Sequence, residues 1–410
     1  MFDLLMAQSS QSVEPPRIPG RFREPKPYLR NLNVRWFDFD LTNVLQMRFE
    51  ASEAERYTVR KGDLVICEGG YPGRAAVWDF DEPVYFQKAL HRVRFHDPGY
   101  ARWCLYYLLY QDVIGQLRAH FNGAGIQHFT GEALAKFEIP VPPIDEACRL
   151  VALLDEAFEG IATAKANTEK SLQNAREWSA RQLATALGAA SVGGRSDTLE
   201  KLVAPSCTLS YGIVQPGEDV PDGLPVVRPV DLGDRNVYAN SLKRIDPALA
   251  RSYARTTLEG NDLLLCVRGT TGTVAVADPA LAGANVTRGI VPIRFDPQTI
   301  SQALGYYLLR SEPVQAQIRA KTYGTALMQI NIGDLRKIVV AFPPLEEQAA
   351  LVEKLDAIQE AADQLADVYA RKLAALTELK HSLLHQAFTG GLSPQNDRPL
   401  RGHDLPLCTQ

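Results

Sequence analysis

Two stretches of the chain carry one hydrophobic pattern. Residues 139 to 187 read IPVPPIDEACRLVALLDEAFEGIATAKANTEKSLQNAREWSARQLATAL, and residues 340 to 388 read VAFPPLEEQAALVEKLDAIQEAADQLADVYARKLAALTELKHSLLHQAF. In each, a short extended run meets a proline pair, Pro142-Pro143 or Pro343-Pro344, which keeps the preceding backbone out of a helix. Asp145-Glu146 or Glu346-Glu347 then put negative charge on the first turn, where the helix dipole favours it. In the second stretch Leu351, Leu355, Ile358, Ala362, Leu365, Tyr369, Leu376, Leu379 and Leu383 alternate at spacings of four and three, with Lys372 beside Leu373 as the polar interruption. That is a coiled-coil seam of about five heptads. The first stretch has a thinner seam of Leu150, Leu154, Ile161, Leu172, Ala175 and Leu183, and only Gly160 interrupts it. At about 1.5 Å per residue each predicted helix is a rod of roughly 65 Å, long enough for a spacer or an assembly surface.

The repetition extends beyond the rods. YLRNLNV (28–34) lies against VVRPVDL (226–232), GDLVICEGGYPGRAA (62–76) against NDLLLCVRGTTGTVA (261–275), VRF (93–95) against IRF (293–295), YYLL (106–109) against YYLL (306–309), and GAGIQHFTGEAL (123–134) against GTALMQINIGDL (324–335). The offset creeps only from 198 to 201, which marks a tandem duplication. Within each copy LVIC or LLLCV, and HRVRF or IVPIRF, are short apolar runs of the kind that form strands, while the tyrosine-rich segments have helical spacing. The pattern predicts an α+β fold: a mixed-sheet module at 1–143, a long helix at 144–188, a flexible linker at 189–197, a second module at 198–343, a second long helix at 344–388 and a loosely ordered tail at 389–410.

Charge adds a direction. Both rods are acidic early (Asp155, Glu156, Glu159; Glu353, Asp356, Glu360) and more basic late (Lys165, Lys170, Arg176, Arg181; Arg371, Lys372, Lys380), so antiparallel pairing brings opposite charges together. The alternative is two separate bundle helices, each docked on its own module. Overall net charge is -4, which is no footprint of a nucleic-acid binder, but outside the rods Arg outnumbers Lys about three to one. Arginine is the residue suited to bidentate contacts with phosphates and guanine edges. Six scattered cysteines without a C-x-x-C argue against zinc and against a disulfide scaffold, and no apolar run reaches the length of a membrane span. The start lacks a secretory signature, so a cytoplasmic protein is expected.

Catalytic motifs are missing. RGTTGT (268–273) has no lysine where a phosphate-binding loop needs one, GAGIQH (123–128) lacks the third glycine of a dinucleotide fingerprint, and VPPI and FPPL lack the polar residue and the ring of an amino-methyltransferase motif. His381 and His385 share a helical face without the glutamate of a zinc protease. Cys67 and Cys266 close equivalent apolar runs and read as buried thiols. The glycine loops after them, GGYPGR (69–74) and RGTTGT (268–273), join arginine to backbone able to approach a ligand closely; they are DNA-contacting loops or plain hairpin turns. Arg92 and Arg94, with Arg288 and Arg294 in the other copy, are either DNA-facing or the wet face of a strand.

A sheet-forming module ending in I-P-x-P-P-x-x-E, a long helix, then a second module ending in FPPLEEQ (342–348) and another long helix resembles the specificity subunit of type I restriction-modification enzymes. The resemblance covers nearly the whole chain; Ala147 in the first copy departs from Gln348 in the second. It implies two target recognition domains, each reading one half of a bipartite asymmetric site on double-stranded DNA, with the paired helices as an antiparallel coiled coil that sets the unread gap. It implies partners as well: two methylation subunits that bind S-adenosylmethionine and methylate adenine N6, and motor-nuclease subunits that use ATP and Mg2+. No cofactor is expected on this chain. The DNA-binding candidates are Arg30, Arg74, Arg92 and Arg94 in the first module and Arg228, Arg268, Thr270, Arg288 and Arg294 in the second. The partner-facing candidates are Pro142, Pro143, Pro343, Pro344, Glu347 and Gln348. The rival readings are a coiled-coil adaptor that binds only proteins and a self-sufficient methyltransferase or nuclease.

Overall fold

A computed structural model describes residues 2–6, 25–50, 53–191, 193–233, 235–325 and 327–392. The chain divides into two compact units, one formed by residues 1–169 with 370–410 and the other by residues 170–369. Each unit holds the beginning of one long helix and the end of the other.

The first unit is built on the run Leu64–Cys67, which is apolar throughout because it is covered on both faces. Leu64 and Ile66 point into one cluster with Ala101, Cys104, Leu105 and Leu108, whereas Val65 and Cys67 point into another with Leu29, Val59, Val84 and Phe86. This is the period-two alternation of a central strand. Its antiparallel sheet has the order Phe2–Met6, Leu90–Phe95, Leu64–Cys67, Ala75–Val77. A second, mixed sheet stacks on one face in the order Leu45–Arg48, Pro25–Leu29, Val84–Phe86, Thr58–Val59. The helix Gly99–Val113 covers the other face. That helix turns Trp103, Tyr106 and Tyr110 outward onto Ala147, Leu150, Val151 and Leu154 of the first long helix and onto Leu384 and Ala387 of the second.

The second unit repeats the design. Leu263 and Leu265 face Leu304, Leu308 and Leu309 of the helix Gln302–Arg310, while Leu264 and Cys266 face Val227, Leu232 and Val286. Its four-stranded sheet runs Asn236–Val237, Val274–Ala277, Leu263–Cys266, Ile290–Ile293, and a three-stranded sheet runs Lys243–Ile245, Leu224–Val227, Asn285–Val286. Strand Arg195–Thr198 pairs with Val339–Phe342, so both ends of this module share one ribbon. The first long helix spans Ile144–Ser191, so the expected linker at 189–197 is regular structure at both its ends. Most of the expected tail lies outside the described residues.

The second long helix spans Leu345–Phe388. In the first unit Leu150 and Leu154 share a buried cluster with Leu384 and Ala387, and Lys380 Nζ lies 4.6 Å from the centre of the Phe158 ring. As one helix advances the other recedes, so the local contact is antiparallel. In the second unit Ala186 and Leu187 join Leu351 and Leu355. The predicted seam slips by one residue. Leu365 is 40% exposed and Leu379 47%, and the shielded stripe runs instead through Ala362, Ala366, Tyr369, Leu373, Leu376, Lys380 and Leu384. Successive steps of four at Ala362–Ala366 and Lys380–Leu384 follow other fours and threes as stutters do, which unwind a supercoil toward a straight helix. Lys380 takes an apolar position because its stem buries while its ammonium rests on an aromatic face.

Candidate nucleic-acid interface

In each unit three turns meet at one edge of the central sheet. In the first they are the turn Asn31–Asn33, the glycine loop that joins Leu64–Cys67 to Ala75–Val77, and the hairpin at 122–128. Asn31 Nδ2 donates to the Gly69 carbonyl (3.0 Å), Arg74 Nη2 donates to the Asn31 carbonyl (3.0 Å), and Phe129 N donates to the Glu68 carbonyl (2.7 Å). In the second unit Gly269 N donates to the Met328 carbonyl (2.8 Å), Ile330 N donates to the Val267 carbonyl (3.0 Å), and Arg268 pairs with Gln329 as a β-bridge. A Cβ on Gly289 would stand 2.4 Å from Pro229 Cγ, which brings the Pro229–Asp231 turn to the same place.

The two glycine loops share their internal bonds. Gly73 N donates to the Cys67 carbonyl and Arg74 N to Tyr71, as Gly272 N donates to Cys266 and Thr273 N to Thr270. Both loops are thus hairpin turns, exposed at Tyr71 and Thr270, and glycine is required because Gly73 and Gly272 adopt φ of 84° and 95°. The hairpins match too: Gly123 and Gly324 have φ of 108° and 113°, and a Cβ on either would lie 2.3 Å from the carbonyl oxygen three residues on.

The candidate arginines fall into two groups. Arg30 and Arg74 gather at the Asn31 turn, Arg30 Nη2 donating to the Asn43 carbonyl (2.9 Å) and Arg74 lying over the Tyr71 ring (5.2 Å). Arg228, Arg268, Thr270 and Arg288 gather at the second edge. Arg228 is clasped by Asp231 (2.9 Å), Thr270 Oγ1 donates to Cys266 Sγ (3.5 Å), and exposed Arg288 lies over the Tyr211 ring (6.0 Å). Arg92, Arg94 and Arg294 do not join them. Arg92 is 1% exposed and donates to the carbonyls of Glu55 and Thr58, which takes it off any DNA-facing surface. Burial pulls its guanidinium below the ordinary value, and neighbouring Arg94 adds to that. Arg94 donates to Asp63 through Nε (2.7 Å) and Nη2 (2.6 Å), and Arg294 donates to Asp262 through Nη1 (2.5 Å). These two are fixtures of the fold, each anchoring a buried aspartate.

Of the expected partner-facing residues, Pro143, Pro344 and Glu347 are exposed and Pro142 is half-buried, its carbonyl taking the Tyr100 hydroxyl (2.8 Å). Pro343 is buried. Gln348 is 1% exposed, its amide donating to the Thr299 and Pro343 carbonyls and accepting from Ser301 N, so it staples the helix start to its own module and faces no partner. In the first unit Tyr100 and Trp103 do that work through the Pro142 and Pro140 carbonyls, which is why Ala147 suffices there.

Sequence reasoning missed a second set at the reading edges. Leu32, Tyr71 and Ile126 are exposed in the first unit, as are Val230, Leu327 and Met328 in the second. The signal is in the duplication: Leu32 and Val230, and Ile126 and Leu327, are apolar at matched turn positions, where turns are ordinarily polar. It also missed the module tethers. Asp155 accepts from Arg102 Nη2 (2.8 Å) and the Tyr106 hydroxyl (2.6 Å), and Asp356 accepts from Arg235 Nη2 (2.8 Å) and the Tyr307 hydroxyl (2.5 Å). Burial works against ionisation of Asp356, yet the Tyr307 hydroxyl and the Arg235 guanidinium hold its carboxyl below the ordinary value. Asp155 and Asp356 therefore bind their own modules. Among the described residues no group of His, Cys, Asp and Glu could hold a metal, and no helix is long and apolar enough to cross a membrane.

A family model for the type I restriction modification DNA specificity domain matches residues 36–173 and again 233–367. The specificity subunit of the type I restriction enzyme EcoBI from Escherichia coli is 24% identical over 369 residues, covering 83% of this chain and 76% of that one. The MjaVIII specificity subunit from Methanocaldococcus jannaschii is 21% identical over 297 residues, 68% of each chain. A chain solved in work on complex assembly and conformational transition of the type I R-M system overlays with a TM-score of 0.71 at 20% identity, covering 90% of this chain and 93% of that one. The HsdS subunit from Thermoanaerobacter tengcongensis overlays at 0.54 and 19%, covering 90% and 92%. The overlays establish the fold, and the two matched segments, which divide as the duplication divides, place the chain in the type I restriction-modification DNA specificity family.

Proposed function

We propose that this chain is the DNA sequence-recognition subunit of a type I restriction-modification complex, each module reading one half of a bipartite asymmetric site. The observation that carries the reading is the duplicated three-turn edge: a glycine loop and a hairpin joined by matching hydrogen bonds, beside a third turn, present Arg30, Arg74, Leu32 and Tyr71 in one copy and Arg228, Arg268, Arg288 and Val230 in the other. Equal scaffolds with unequal outward residues suit two different base sequences. In this reading two methylation subunits bring S-adenosylmethionine and methylate adenine N6, motor-nuclease subunits bring ATP and Mg2+, and exposed Pro143, Pro344 and Glu347 lie on the docking side. The long helices set the unread gap.

Mapping methylated adenines after co-expression with the methylation subunit tests this. Arg74→Ala should relax or weaken recognition in one half-site only and Arg268→Ala in the other, at a cost of about 1 to 3 kcal/mol if a base is read. Loss that is uniform across sequences marks a phosphate contact, and no change at either half-site removes both residues from the interface. Inserting four residues at matched places in both long helices adds about 6 Å and should lengthen the gap by about two base pairs. An unchanged gap would take the ruler role from the helices.

A further inference from the structure

The exposed aliphatic side chains at the hairpin tips belong to none of the buried clusters that hold the fold. Ile126 is 75% exposed, and Leu327 and Met328 stand out at the matching place in the second unit. Turns ordinarily carry polar residues, and exposed apolar groups that recur at one site mark a contact surface. Here the hairpin geometry itself turns them outward, through the left-handed Gly123 and Gly324 and the close carbonyls of Ile126 and Leu327. The hairpins are also clamped to the glycine loops. A Cβ on Gly69 would lie 3.1 Å from His128 Nδ1, and one on Gly269 would lie 3.9 Å from Leu327 Cδ1, while Thr271 Oγ1 donates to the Met328 carbonyl (3.2 Å). Each tip therefore projects from the edge that carries the cationic residues Arg74 or Arg268. Apolar tips set among guanidiniums fit a polyanion with apolar groups inside its grooves, which describes DNA: phosphates outside, thymine methyls on the floor of the major groove.

We infer that Ile126 in the first module and Leu327 with Met328 in the second contact thymine C5-methyl groups and so contribute to the choice of base. This rests on the DNA reading above. Arginine recognises guanine, and the tips supply the apolar half of the code that arginines cannot.

The test uses the chain assembled with its methylation subunits and the site mapped by adenine methylation. Every methylated adenine is paired with a thymine, so each half-site offers at least one methyl to remove. Binding is measured on duplexes with each thymine in turn replaced by deoxyuridine. For the wild-type complex, one replacement per half-site should weaken binding about fourfold, the worth of one buried methyl. Ile126→Ala should abolish that penalty in one half-site and leave the other intact, and Leu327→Ala should do the reverse. Both positions are solvent-exposed, so truncation spares the core. The inference is overturned if no deoxyuridine replacement matters to wild type, if the penalty survives in the variants, or if Ile126→Ala impairs assembly with the methylation subunits and leaves base discrimination alone. A wild-type complex with no sequence preference at all would instead overturn the DNA reading beneath it.

Discussion

The two units differ in what they show to solvent and agree in what they hide. Asp63 and Asp262 occupy one role: each immediately precedes a central strand, accepts from the backbone three residues before it (Arg60 N or Glu259 N, 2.7 Å each) and takes the guanidinium of Arg94 or Arg294. The residue before each is in the left-handed region, Gly62 in one copy and Asn261 in the other, the two types that reach it at least cost. Leu154 and Leu355 are both fully buried. The outward positions have meanwhile diverged, Tyr71 against Thr270 and Gln127 against Met328. Duplication followed by divergence leaves buried polar fixtures in place because their loss strands a partner in the core, whereas an exposed turn residue can change freely.

That contrast is sharpest at the two ion pairs. Asp262→Ala leaves Arg294, only 13% exposed, with the Thr257 carbonyl and the more distant, largely exposed Glu259 carboxylate (3.4 Å), and should cost about 3 kcal/mol. Asp63→Ala strands Arg94, which is 36% exposed and regains water, so the cost should fall to about 2 kcal/mol. Urea unfolding of the two variants measures the difference. Equal losses would mean that access of the guanidinium to water does not govern the pair.

The tethers test how the copies correspond. By sequence the YYLL segments align Tyr106 with Tyr306, but by contact Tyr106 matches Tyr307, since these two hydroxyls reach the aspartates of the long helices. Tyr306 instead lies between the guanidiniums of Arg235 and Arg310, each 4.8 Å from its ring centre. Tyr106→Phe and Tyr307→Phe should each lose about 1.5 to 2 kcal/mol, the range for a hydrogen bond to a charged group. Tyr107→Phe, half-buried against the Phe388 ring, should change stability by less than about 0.5 kcal/mol. A larger loss from Tyr107 than from Tyr106 would restore the sequence alignment.

Much of this was legible beforehand, and the failures have one cause. The duplication, the mixed-sheet modules, both long helices and their proline-marked starts follow from local pattern, which is where periodicity and turn chemistry speak. What local pattern does not show is partners distant in sequence. Nothing local to Arg94 reveals that Asp63 waits 31 residues earlier, and nothing local to Gln348 reveals the Thr299 carbonyl. Apolar spacing alone selects Leu379 over Lys380, although a lysine stem shields apolar surface as well as an aliphatic side chain does when its charge finds a ring.

The smallest effect isolates a difference hidden within the shared scaffold. Opposite Ile66 the first unit has His91, and opposite Leu265 the second has Val291. His91 is buried, its Nε2 lying 2.7 Å from the Phe129 carbonyl as a donor while Nδ1 has no partner. Burial therefore depresses its pKa below the ordinary 6.5, against the opposing pull of the Phe129 carbonyl and Glu68. Above pH 6.5 the ring is neutral in folded and unfolded chains alike and contributes no slope. Between 6.5 and the depressed folded value only the unfolded chain takes up the proton, so stability falls as pH falls, by at most about 1.4 kcal/mol per pH unit. The second unit has no counterpart at this position. Hydrogen exchange along strand Leu90–Phe95 should thus accelerate between pH 7.5 and 5.5, after correction for intrinsic rates, more than along Ile290–Ile293. His91→Val should remove the excess while costing about 1 kcal/mol at pH 7.5 for the lost bond to Phe129. If the acid sensitivity persists in that variant, the proton is taken up elsewhere, and the two central sheets are alike in their response to acid.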